Sequence, residues 1–221
     1  MYVPEHFAAT DLAALQALVR AHAFGTLITA RAGEAPFATH LPLALDAARG
    51  ELGTLIGHVA RANGQWRAFD GETQALAVFN RPHAYVSARW YPSAKQVPTW
   101  NYVAVHASGR PRVIDDPARK FELLRALMLE HEGALPEPAR ALGKGPRDFA
   151  DIPFAHLDKL LRGIVAFELP IERIEGKRKL SQNKKLSERR ALIAGLEATG
   201  AADARAIAAL MRVELAAEEP A

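Results

Sequence analysis

The chain is 221 residues long, 49% hydrophobic and 24% charged, with no cysteine and a formal net charge of +3. That length suits one well-buried domain, or one domain with an appended helical piece. The lack of cysteine excludes disulfides, thiolate zinc sites and cysteine nucleophiles. No apolar run is long enough to span a bilayer and Met1–Phe7 has no signal-like pattern, so a cytoplasmic protein with no membrane partner is expected.

Thr10 is placed to cap a helix over Asp11–His22 that carries Leu12, Leu15, Leu18 and Val19 on one face. Phe24–Ala30 is a β-rich run, and Ala32-Gly33-Glu34 turns it into a second strand, Phe37–Leu45. A third strand, Leu52–Val59, follows the Arg49-Gly50 turn and leads to a short helix over Asn63–Phe69. Ala75–Phe79 and His83–Ser87 are strands separated by Pro82, and Thr99–Ala107 is another that continues toward Ile114. Asp115 or Asp116 caps a helix opened by Pro117 and ending at His131. Gly133–Phe149 reads as a surface loop, Phe154–Leu161 as a short helix and Ile164–Leu169 as a strand. Two Ala/Leu-rich helices, Ser187–Ala198 and Asp203–Leu215, close the chain around Gly200.

About six short strands joined by tight turns, with few helices between them, predict an antiparallel barrel. The class is mainly β with flanking helices (α+β), ending in a C-terminal helical hairpin. Strand and helix units do not alternate, and no Gly-rich phosphate loop stands in a strand–turn–helix setting, so a Rossmann sheet is not expected.

Chemistry concentrates in three places. Arg89–Tyr102 holds two of the three tryptophans and two of the four tyrosines, on a segment stiffened by Pro92 and Pro98. Aromatic faces beside amides and one lysine suit a flat, polar-edged anionic ligand, or else a packed corner. Gly57–Trp66 ends a strand at His58 and begins a helix near Arg61–Asn63, offering free N–H groups and an arginine fork to a phosphate. Thr39 and His40 reach the same place if the second and third strands pair; otherwise Arg61 is a solvated arginine and His58 a strand-end histidine. Lys177–Arg190 carries a net +6 while the remainder sums to −3. That run would serve a ligand edge, a subunit contact or a nucleic-acid backbone, or be a solvated linker.

The eight histidines are dispersed, no H-E-x-x-H or G-x-S-x-G occurs, and no metal site or catalytic acid or base can be assigned. The C-terminal helix pair fits a helix-turn-helix loosely, since its second helix lacks a base-reading set.

Met1–Phe7, Thr39-His40-Leu41-Pro42-Leu43, Gly57–Asn63, Tyr85-Val86-Ser87 through Trp90-Tyr91, Val97–Tyr102 and Lys179–Asn183 occur in that order. This series resembles the PaiB-type family of FMN-binding negative transcriptional regulators across nearly the full chain. The resemblance implies a split β-barrel homodimer related to flavin reductases and pyridoxamine-phosphate oxidases, with FMN at the subunit interface. It implies that Arg61, His58 and Asn63, helped by Thr39 or His40, hold the phosphate. Trp90, Tyr91, Lys95, Thr99 and Trp100 would line the flavin pocket, with Lys179, Ser181 and Gln182 approaching from the C-terminal part. The expected organisation is a barrel domain over residues 1–176 and a basic segment with the helical hairpin over 177–221. DNA is an expected partner through Lys177–Arg190. The rival readings are a flavin-dependent oxidoreductase, a haem-handling enzyme using the same pocket, or an empty barrel that serves protein interactions.

Overall fold

The computed structural model describes residues 1–93, 95–137, 139–143, 145 and 148–218, with the backbone alone at Arg140. The predicted loop Gly133–Phe149 and the tail of the predicted C-terminal segment therefore lie partly outside the described residues.

In chain order the elements are β1 (Ala8–Ala9), α1 (Leu12–Ala21), β2 (Phe24–Thr29), β3 (Phe37–Pro42), β4 (Ala44–Asp46) and β5 (Thr54–Ala60). Next come β6 (Ala75–Phe79), β7 (His83–Val86), β8 (Thr99–Gly109), β9 (Arg112–Val113), α2 (Pro117–Gly133) and α3 (Phe154–Arg162). The chain closes with β10 (Ile164–Lys179), α4 (Leu186–Ala198) and α5 (Ala202–Glu218). The strand order β3-β2-β6-β8-β10-β5-β4 does not return on itself, while β1 and β9 pair with β10 and β7 pairs with β8. The β2–β3, β4–β5, β5–β10 and β7–β8 ladders are antiparallel. This is a mainly antiparallel split barrel; the turn-rich strand pattern predicts the antiparallel barrel, and the resemblance implies that it is split.

Local chemistry explains most boundaries. The cap of α1 is Asp11 rather than Thr10, its carboxylate accepting from Ala13 N–H at 3.0 Å. At α2, Asp116 accepts from Arg119 N–H at 2.8 Å and Pro117 fills the first turn, as expected. The second predicted strand divides into β3 and β4. The largest departure is β10, which extends ten residues beyond the predicted Leu169. Pro170 marks a stop in the sequence because it cannot donate to a ladder, yet it lies opposite Thr54 at the end of the β5 pairing. Beyond it the strand continues to Lys177, which pairs with Ala8 of β1.

The chain forms two compact units. One comprises Met1–His22, Val78–Ala107 and the chain from Ile174 onward; the other comprises Ala23–Ala77 and Ser108–Arg173. In the first, Leu192 and Leu196 of α4 and Ile207 and Met211 of α5 are fully buried together with Val86, Val103 and Leu180. In the second, Leu27, Leu43, Leu55, Phe167 and Leu169 form the interior. There Gly57 permits a close approach, because a Cβ on it would meet Leu43 at 2.9 Å and the Phe167 ring at 3.1 Å.

Candidate functional site

In the second unit the predicted phosphate residues lie on β3, on β5 and in the turn that follows β5, and a hydrogen bond joins Thr39 to Asn63. The short helix expected after Asn63 is present as a five-residue 3-10 helix, Gly64–Ala68, rather than an α-helix. A single turn has little macrodipole, so any anion here depends on side chains rather than on a helix end. Asn63 Oδ1 accepts from Gln65 N–H at 3.0 Å, and its Nδ2 donates to Thr39 Oγ1 at 3.0 Å. Thr39 on β3 and Asn63 are thereby brought together as expected. Across the β2–β3 ladder, His40 Nδ1 and Thr26 Oγ1 lie 2.8 Å apart. Arg61 donates from Nε to Arg162 O at 2.8 Å and from Nη2 to Ile164 O at 3.1 Å, so part of its fork already holds backbone. His58 lies on β5 with its Nδ1 buried and without a partner among the described residues. Desolvation lowers its pKa below 6.5, which keeps the imidazole neutral at pH 7.

In the first unit the aromatic residues sit on the β7–β8 ladder, whose register sets Tyr85 opposite Trp100 and His83 opposite Tyr102. Successive side chains of a strand alternate faces, so Trp100, Tyr102, Ala104 and His106 share one side of β8. The Tyr85 and Trp100 rings are 5.8 Å apart and the His83 and Trp100 rings 6.0 Å apart. Trp100 remains 52% exposed and Tyr85 48% exposed, although rings of this size are usually buried. Trp100 borders a cleft of about 600 Å³ lined also by Val78, Asn80, His83, Tyr102 and His106, within the usual size range of small-molecule sites. His83 Nδ1 is buried without a partner among the described residues, and burial lowers the pKa of His106.

Lys179 donates to Thr99 Oγ1 at 2.6 Å, and desolvation, with Lys177 nearby, lowers its pKa. Lys177 lies 5.4 Å from the Tyr102 ring centre. The other expected residues of this unit are largely engaged in structure. Trp90 packs on α4 where a Cβ at Gly195 would come within 2.4 Å of the indole. Tyr91 is buried in the helical core, with the Lys184 ammonium 5.6 Å from its ring centre. Ser181, at φ 64, donates to Asn101 Oδ1 at 3.0 Å, and Gln182 closes its own turn on Leu180 N–H and Arg178 O. The Lys95 side chain is exposed. His83, Tyr85, Tyr102, His106 and Lys177 were absent from the predicted set. The signal for Tyr102 and His106 was the two-residue alternation along β8, and that for His83 and Tyr85 the same alternation along β7, which only the ladder register brings together.

The basic run is not the solvated linker considered from sequence, since it comprises a strand end, a turn and the start of α4. Most of its cations are engaged with other groups of the protein. Lys177 is 8% exposed, Arg178 pairs with Glu214 at 3.1 Å and Lys179 holds Thr99. Lys184 donates to Gln96 Oε1 at 2.7 Å, and the fully buried Arg189 meets Glu218 at 2.5 Å.

The residues present fit a flavin nucleotide. Each unit keeps a buried imidazole nitrogen without a partner, and the first adds an open aromatic cleft for a ring system. Among the described residues no group of acids and histidines could hold a metal ion. None of the described helices is long and apolar enough to cross a membrane.

Residues 1–173 match the family described as "Putative FMN-binding domain". The chain is 34% identical to the protease synthase and sporulation protein PAI 2 of Bacillus subtilis, over 97% of this chain and 98% of that protein. An uncharacterized protein of Emericella nidulans is 30% identical over 96% of both chains. Among solved structures, the FAD and heme binding protein of Mycobacterium smegmatis superposes with a TM-score of 0.56 at 20% identity, over 83% of this chain and 78% of that one. The flavocytochrome Anf3 of Azotobacter vinelandii gives 0.55 at 19%, over 80% and 72%. At those identities the two structures establish the shared fold, and the first two matches establish more: this chain belongs to the PaiB-type family of FMN-binding proteins.

Proposed function

We propose that this chain works as an FMN-binding split-barrel homodimer and, as its resemblance to the PaiB-type regulators implies, acts as a negative regulator of transcription. The observation that carries the flavin reading is the exposed Trp100–Tyr85 ladder beside a cleft of about 600 Å³, with Lys179 half-buried at Thr99. In this reading the isoalloxazine packs on Trp100 and Tyr102, while Thr39, His40, His58, Arg61 and Asn63 serve the phosphate. Lys95, Trp90, Tyr91, Ser181 and Gln182 support the ring site. Each protomer of the homodimer contributes to FMN at the subunit interface. Bound FMN would supply one- and two-electron redox chemistry, and the protein would position it and set its surroundings.

A spectrum of the freshly purified protein followed by FMN titration tests this directly. Trp100→Ala is expected to weaken FMN binding about tenfold, the loss of one stacking face. Arg61→Ala is expected to weaken it by about 1–3 kcal/mol through a lost charge-assisted contact. A colourless protein that takes up no FMN would overturn the reading. So would two folded variants that bind FMN as tightly as the parent.

One observation favours a second reading, a flavin-dependent oxidoreductase or haem-handling enzyme. The basic run, the segment expected to meet DNA, has most of its cations engaged internally. A duplex binder should lose affinity steeply with salt and prefer some sequences over others. Weak, salt-insensitive gel shifts together with sustained NAD(P)H consumption would select the enzyme.

A further inference from the structure

Trp100 and His83 border not one cleft but two. The second, about 580 Å³, lies within the same unit beside β7 and the first residues of α5. Its walls include three aromatic side chains, Tyr85, Trp90 and Trp100, and its polar groups include Ser87 and Arg89. We propose that this second cleft binds a planar aromatic ligand carrying one anionic group, at a site separate from that of the flavin.

Three features support this. First, the aromatic walls are held in place from behind. Trp90 is backed by α4 at Gly195, and Trp100 is set by the Tyr85 pairing. Rigid rings that remain open to solvent suit a flat ligand, because little conformational entropy is lost when it binds. Second, the charge balance favours an anion. Asp203 also lines the cleft, but Arg81 neutralises it with two hydrogen bonds at 3.0 and 3.2 Å. The exposed Arg89 side chain makes no hydrogen bond or ion pair among the described residues, which leaves its planar fork for a carboxylate or similar group. Third, Thr199 is already satisfied, its hydroxyl donating to Leu196 O at 2.7 Å and accepting from Ala201 N–H. Specificity for charge therefore falls to Arg89.

If the flavin occupies the first cleft, as proposed above, the indole of Trp100 is a wall common to both ligands. Occupancy of one site then changes affinity at the other, and by the same factor in each direction. This coupling rests on the flavin reading, whereas the second site does not.

The decisive probe pair is 2-naphthoate and its neutral isostere 2-naphthamide, titrated by calorimetry into the full-length protein without FMN. The acid is expected to bind about fivefold tighter than the amide, the effect of one partly exposed charge pair. Arg89→Ala should abolish that preference while leaving the thermal midpoint unchanged. Ala201→Trp, which fills the cleft from its exposed rim, should weaken both probes about tenfold or more. Equal binding of acid and amide to the parent would overturn the proposal, as would undiminished binding to a folded Ala201→Trp variant. Repeating the acid titration with saturating FMN reads the coupling. An unchanged affinity there removes the shared-wall argument but not the site, and a protein that binds naphthoate but no FMN refutes the flavin reading alone.

Discussion

His58 shows how a single side chain links fold and site. It is a polar residue on a strand whose neighbours Gly57 and Val59 are buried, and its Nδ1 lacks a partner among the described residues. Desolvation depresses its folded pKa below the ordinary 6.5. Above that value both folded and unfolded states are neutral here, and the histidine has no effect on stability. As pH falls below it, the unfolded chain takes up the proton first, so stability is lost progressively through the depressed folded value. His22 and His106 are shifted the same way by burial and add to the same acid limb. The parent's urea midpoint should therefore fall between pH 8 and 5.5, and by less in His58→Gln. Equal falls in the two proteins would show that His58 gains a partner in solution. The sequence marked His58 as a candidate through its position at a strand end, but not as a buried neutral imidazole, because burial depends on strands distant in the chain.

At the scale of elements, the packing of α4 on the segment before β8 decides where Trp90 sits. Gly195 is the contact: a Cβ there would come within 2.4 to 2.9 Å of three atoms of the Trp90 indole. Gly195→Leu should force that ring out, costing about 1–3 kcal/mol by overpacking and disturbing the aromatic cleft. The check is a lowered urea midpoint together with a shifted tryptophan emission. A variant with wild-type stability and emission would mean that Trp90 does not depend on α4. Most elements were legible at this scale. Helix α2 begins at the predicted proline and acid, and α4 and α5 meet around Gly200, which has the positive φ of 71 that ends a helix. Strand β10 was not, since a proline and an irregular mix of charged and apolar residues hid a ladder fixed by β5 and β1.

For the whole molecule, flavin and self-association are tested together. A ligand that binds only the folded state stabilises it by about 2.7 kcal/mol at a hundredfold excess over Kd. FMN should therefore raise the thermal midpoint, and light scattering should give twice the mass of one chain. A midpoint that FMN does not move would contradict flavin binding, and a single-chain mass would contradict the dimer. The sequence by itself determined the class of fold, the caps and turns, and the segments rich in aromatic and basic residues, because periodicity and composition are local properties. Tertiary structure decided which of those groups remain available. Pairing opposite β7 left Trp100 and Tyr85 open, packing on the α4–α5 hairpin took Trp90 and Tyr91, and neighbouring acids and hydroxyls engaged most of the basic run. Charge and aromaticity are written residue by residue, whereas their exposure depends on partners brought from far along the chain.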